Sequence, residues 1–134
     1  MGYSTSHFAK VVPCTVDQLN QALDSAAVNE VCGQIAQALL RVKQGEMSRT
    51  EFENYKKAMK SQLPVLTPHA VFKNGERKNS EAIPSGLSMY DIDHIENPRG
   101  YYQSMISGRE TELGIVMAYM TPSTEGLRLL FEVP

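Results

Sequence analysis

Apolar positions in the first half of the chain recur at helical spacing. Val28, Val31, Cys32, Ile35, Leu39 and Val42 follow i, i+3, i+4, i+7 offsets, the stripe of an amphipathic helix. Upstream, Leu19, Ala22 and Leu23 supply an apolar face, and Thr15 with Gln18 forms a capping box that opens the helical stretch. Gly45 is a natural stop, because glycine enters the left-handed conformation at little cost. Ser48 and Glu51 form a second capping box, opening a helix with Phe52, Tyr55 and Met59 on one face. The segment Leu63-Pro-Val-Leu-Thr-Pro68 ends it, since proline has no amide to continue the ladder. Residues 15–62 are therefore predicted helical, with the 28–42 stripe covering a sheet.

Beyond Pro68 the pattern shortens to strands. His69 to Lys73 is a strand candidate, followed by Asn74-Gly75, a hairpin turn signal. Ser85 to His94 alternates weakly and reads as a strand ending in charge. Asn97-Pro98 pairs an N-cap with proline in the first turn, opening a helix over about residues 98–108. Gly114 to Met120 is a nearly continuous apolar run, the mark of a strand covered on both faces. Pro122 to Gly126 is a turn, and Leu127 to Val133 a final strand. The order β-α-β-β behind a helical lead-in predicts an α+β fold, the helical half packed on a mostly antiparallel sheet. Residues 1–62 are the lead-in and 63–134 the β-α-β-β core of a single domain. The apolar strand that runs up to Pro134 reads as unbacked, which suggests an N-terminal fragment of a longer protein.

Composition narrows the class. A chain of 134 residues and 14.9 kDa is one domain's worth, and 42% apolar with 21% charged residues is ordinary globular composition. No run approaches the roughly 18 apolar residues of a membrane span, and no secretory signal opens the chain. A cytoplasmic protein with no membrane partner is expected, its two cysteines, Cys14 and Cys32, reduced. The net charge of −2 excludes a nucleic-acid binder held by global charge but leaves local patches. Residues 41–60 carry six cations against three carboxylates, and Lys73, Arg77 and Lys78 oppose Glu76. Such clusters track a phosphate backbone in some proteins, although solvated helix faces are their ordinary use.

Tyr90-Asp91-Ile92-Asp93-His94 is the sharpest chemical feature. Residues two apart on a strand share a face, so Asp91 and Asp93 present their carboxylates side by side. Two such charges need solvent, a paired cation, or a divalent ion between them. In the turn at 121–128, Ser123 and Gly126 can aim backbone amides at a phosphate, and Arg128 can grip one bidentately; a plain hairpin uses the same residues. His7, His69 and His94 lack metal-ligand spacing with the cysteines, so zinc and thiol chemistry are poorly supported.

Leu63-Pro64, the segment Phe72-Lys-Asn-Gly-Glu-Arg77, Ser85-Gly-Leu-Ser-Met-Tyr-Asp-Ile-Asp-His94 and residues 118–130 (AYMTPSTEGLRLL) carry a family resemblance. Together they resemble the VirE N-terminal, primase-associated domain of mobile-element replication proteins, a divergent branch of the archaeo-eukaryotic primase-polymerase superfamily. The resemblance covers about residues 60–134 and, less specifically, the helical lead-in. It implies an RRM-like, primase-polymerase-like β-α-β-β unit. The implied chemistry is nucleotidyl transfer, in which carboxylate-held Mg²⁺ or Mn²⁺ activates a 3′-hydroxyl and stabilises pyrophosphate. On that resemblance Asp91 and Asp93 match the first motif, as catalytic and metal-holding residues. Ser123, Gly126 and Arg128 fall at the second, phosphate-binding motif, with Arg128 standing where a histidine is expected. The third acid belongs further along than this sequence runs. The implied partners are nucleic acid, a nucleoside triphosphate, and a downstream helicase or primase domain. The alternative is a non-catalytic module that keeps the fold and binds nucleic acid or a partner. Net acidity, Arg128 and the missing third acid favour the alternative; the Asp91/Asp93 pair favours the enzyme.

Overall fold

The computed structural model describes residues 1–5 and 9–133; His7 and Pro134 lie outside them. Helix α1 (Val16–Leu23) starts where its capping box places it: the Thr15 hydroxyl accepts the Gln18 amide while the Gln18 side chain accepts the amide of Thr15. A cap of this kind contributes about 1 kcal/mol. Ser25 caps a separate helix, α2 (Ala26–Lys43), a break that the apolar spacing passes over. Gly45, at φ 77°, follows the end of α2, and the Ser48–Glu51 box opens α3 (Arg49–Lys60).

Most of the apolar stripe of α2 faces α3 rather than a sheet; Val28 and Cys32 line a cavity with Leu66, Tyr119 and Met120. Ile35, Ala38 and Leu39 pack with Phe52 and Met59 of α3, so the two helices bury each other's stripes. Helix α1 supplies the sheet contact instead, through Leu19.

Three small sheets follow, all of antiparallel pairs. In the first, β1 (Gly2–Ser4) lies between β2 (Val12–Pro13) and β3 (Val65–Thr67). Strand β3 occupies the segment expected only to stop a helix. In the second, β4 (Ala70–Phe72) pairs with β5 (Ala82–Pro84). The tight hairpin expected at Asn74-Gly75 is not there: the connection runs through residues 73–81 and ends in a 3-10 turn at Asn79–Glu81. Gly75, at φ 73°, donates its amide to Phe72 and accepts the Val11 amide, so this turn anchors on the N-terminal segment rather than closing β4 onto β5.

The third sheet carries the chemistry. Its order is β6 (Leu87–Ile92), β8 (Leu127–Glu132), β7 (Ile115–Met120). Strands β6 and β7 therefore run parallel on either side of β8, joined by α4 (Pro98–Met105) and α5 (Glu110–Leu113). Helix α4 opens as the Asn97-Pro98 signal predicts, with the Asn97 side chain accepting the Gly100 amide. The β-α-β-β element order is present, in a fold of mixed helices and antiparallel sheets. Two expectations change. The final strand is not unbacked: β8 is central, with Leu130 packed against α1 on one face and Leu127 and Leu129 in the cluster that includes Ile106 and α4 residues Tyr101 and Tyr102 on the other. Strand β7 is an edge rather than fully covered, and Val116 is exposed where the register shifts between Ile115 and Met117.

Cys14 and Cys32 are free thiols, and among the described residues no helix is long and apolar enough to cross a membrane.

Candidate functional site: a cleft between α3 and the end of the third sheet

Two loops meet where β6 ends and β8 begins. Strand β6 runs out into Asp93 and His94, and the turn from Thr121 to Gly126 leads into β8. The Ile95 amide donates to the Glu125 carbonyl at 2.7 Å, tying the loops together. Gly126 is what lets them approach: a Cβ there would lie 2.7 Å from Thr121 Oγ1 and 3.3 Å from both Asp93 Oδ1 and the Ile92 carbonyl. Helix α3 forms the opposite wall and is pinned to the turn by Arg49 Nη2 and Glu125 Oε1 at 2.9 Å. The cleft between them measures about 550 Å³.

Asp91, Asp93, Ser123 and Arg128, four of the five candidates read from sequence, line this one cleft. Gly126 is buried behind them, serving the close approach of the loops. Asp91 and Arg128 are cross-strand neighbours in the β6–β8 ladder. Arg128 donates from Nε to Asp91 Oδ1 at 2.7 Å and from Nη2 to Oδ2 at 3.1 Å, a bidentate charge-assisted pair. Its third nitrogen donates to the Tyr119 hydroxyl at 3.4 Å, with the guanidinium 5.8 Å from the ring centre. The hydrogen bonds to Asp91 hold Arg128 still more firmly in its protonated form. Burial pushes the Tyr119 phenol up from the usual tyrosine range, against the downward pull of Arg128.

Helix α3 contributes part of the basic 41–60 cluster, for which a solvated helix face is the leading reading from sequence. Arg49, Glu53, Lys56 and Lys60 fall at i, i+4, i+7 and i+11, one face of the helix, and all four line the cleft. That spacing is visible in the sequence; only the surface it faces is not. Glu53 bridges Arg49 at 3.0 Å and Lys56 at 2.8 Å, and this holds Glu53 below the usual carboxylate range, the Lys56 hydrogen bond being the main cause. Among the described residues, Lys60 and Asp93 line the cleft with no ion-pair partner.

Asp91 is engaged by a cation of the chain itself. Both oxygens of Asp91 are bonded to Arg128, and among the described residues no group of three or more His, Cys, Asp or Glu is placed to hold a metal. Backbone strain does collect here. His94 at φ 58° and Thr124 at φ 63° are the only non-glycine residues with positive φ among those described, one on each loop. A β-branched residue in that conformation is a genuine outlier, and such strain concentrates at ligand sites.

Residues 58–134 match the family model of the BT4734-like N-terminal domain. The chain belongs to this family. Neither a search of curated proteins nor a search of solved structures finds a match. The BT4734-like domain as matched contains the whole third sheet and both loops of the cleft, and it opens inside the last turn of α3. Lys60 therefore belongs to the matched span of the BT4734-like domain, while Arg49, Glu53 and Lys56 precede it.

Proposed function

We propose that this BT4734-like domain is a non-catalytic nucleic-acid-binding module of a mobile-element replication protein, built on a primase-polymerase-like sheet. Its cleft takes the phosphates of a single strand. The observation that carries the non-catalytic reading is the bidentate Arg128–Asp91 pair. A carboxylate with both oxygens held in this way must give up its arginine before a metal can take it. The primase-like part is supported by the β6-β8-β7 order with a helical crossover, the β-α-β-β order that the family resemblance implies. Lys60, which lines the cleft without an ion-pair partner, and Lys56 supply the phosphate contacts. The balance of charge along the walls keeps that binding weak and dependent on salt. A helicase or primase domain elsewhere in the replication protein is the natural partner of such a module.

The test is binding of a fluorescent single-stranded oligonucleotide in a metal chelator. Binding at low salt that survives chelation and weakens in Lys56→Gln/Lys60→Gln supports the reading. Binding that requires Mg²⁺ or Mn²⁺ contradicts it.

The presence of both Asp91 and Asp93 in the cleft favours a second reading, metal-dependent nucleotidyl transfer with a nucleoside triphosphate. On that reading Mn²⁺ or Mg²⁺ raises the melting temperature, and Asp91→Asn/Asp93→Asn removes the increment. A melting temperature indifferent to Mn²⁺, with or without a triphosphate, eliminates it.

A further inference from the structure

A second, smaller cavity of about 250 Å³ opens beside the cleft, against α1, α2 and the turn between β7 and β8. Leu63, Pro64, Leu66, Thr121, Pro122 and Arg128 line both, so the two spaces adjoin. Their chemistry differs. The cleft is walled by charged side chains, the cavity by Leu23, Val28, Cys32, Tyr119 and Met120. Its volume falls below the roughly 300–1,000 Å³ of a site for a whole small ligand, which suits a single flat ring system.

The polar groups discriminate between possible occupants. Asn29 and Thr124 also line the cavity. Asn29 donates to the Asp24 carbonyl at 3.3 Å, which leaves its own carbonyl oxygen to accept. Apolar and aromatic walls suit the faces of a base, while an amide and a hydroxyl suit its edge. An alkyl chain would cover the half-buried Thr124 and lie beside the exposed Asn29 without returning a hydrogen bond to either. Thr124, held at φ 63°, sets one side of this space with a strained backbone.

We propose that the cavity receives one unstacked base of a single-stranded nucleic acid whose phosphates lie in the adjoining cleft, with Arg128 at the junction. The inference rests on the phosphate-binding reading of the cleft and adds to it a base subsite that includes Cys32.

Cys32 provides the readout. Burial pushes its thiol up, so it alkylates slowly near neutral pH and is best labelled under mildly alkaline conditions. Cys14, packed with Leu19, Met117 and Leu130, lies outside the cavity and serves as the internal reference. Two probes are compared, a single-stranded DNA of about ten nucleotides and the same strand made fully abasic, with binding followed by anisotropy and labelling by mass spectrometry. The intact strand should slow Cys32 alkylation several-fold and leave Cys14 unchanged, while the abasic strand binds more weakly and gives Cys32 no protection. Val28→Phe, which fills the cavity from α2, should lower the affinity of the intact strand to that of the abasic one. Equal binding of the two strands, or Cys32 protection by the abasic strand, overturns the base subsite and leaves the phosphate cleft standing. Binding of neither strand overturns the phosphate reading and this inference with it.

Discussion

Arg128 closes both oxygens of the Asp91 carboxylate from the adjacent strand, at 2.7 and 3.1 Å. The β6–β8 register places the two residues opposite one another, so the ladder itself delivers the pair. Neither side chain is fully buried, with exposures of 28% for Arg128 and 34% for Asp91. Solvent therefore screens the attraction, and the coupling sits near the upper end of partly exposed pairs, about 1 kcal/mol. A double-mutant cycle over Asp91→Asn and Arg128→Gln, read by urea unfolding, should return that value. Arg128→Gln alone should also leave the Asp91 carboxylate without its cation, in a cleft that Asp93 shares, and so make Mn²⁺ stabilising where it is not in the wild type. A cycle that returns no coupling would remove the physical basis for calling Asp91 occupied.

Gly126→Ala should destabilise the domain by about 1–3 kcal/mol, the cost of forcing a methyl into a filled space. The added methyl would meet Thr121 Oγ1 first, at 2.7 Å. Thr121→Ala removes that atom, so the double variant should recover a good part of the loss in the same unfolding experiment. No recovery would assign the cost to the Ile92 carbonyl and Asp93 instead.

Tyr119 makes stability depend on pH in the alkaline range. Burial raises its phenol in the folded state. A group whose folded pKa is raised contributes stability that is complete below its unfolded pKa, about 10, and lost as pH rises through the folded value. Wild type should therefore lose stability more steeply than Tyr119→Phe as pH climbs past that point, and the two should differ little in slope near neutrality. Denaturant midpoints measured across this range decide it. Parallel curves would mean that the phenol is solvated.

Much of the fold is legible in local signals. Both capping boxes, the Gly45 stop and the Asn97-Pro98 start are local chemistry, and each appears where the residues put it. The strands of the third sheet are six residues each, long enough to carry a pattern. Strands β1 to β5 have two or three residues, too few for any period, and the pairing of β1 with β3 joins distant parts of the chain. An apolar stripe shows that α2 is covered but not by what, and α3 rather than a sheet covers most of it. The candidate site follows the same division. Asp91, Asp93, Ser123 and Arg128 stand out by residue type and turn position. That Arg128 meets Asp91 depends on β8 lying next to β6, a matter of strand order. Lys56 and Lys60 look like an ordinary charged helix face until α3 is placed across the loops.

The most direct test of the account is an amide chemical-shift titration of the chain with a short single-stranded DNA in chelator at low salt. The described residues offer a competing surface, the basic connection between β4 and β5 that carries Lys73, Arg77 and Lys78. The account predicts that the largest shifts fall at residues 56–66, 91–95 and 121–128, the two walls of the cleft, and that Lys60→Gln lowers the salt dependence of binding by about 0.7 in the logarithmic slope, one phosphate contact. Shifts centred on residues 73–81, with the cleft unmoved, would contradict it.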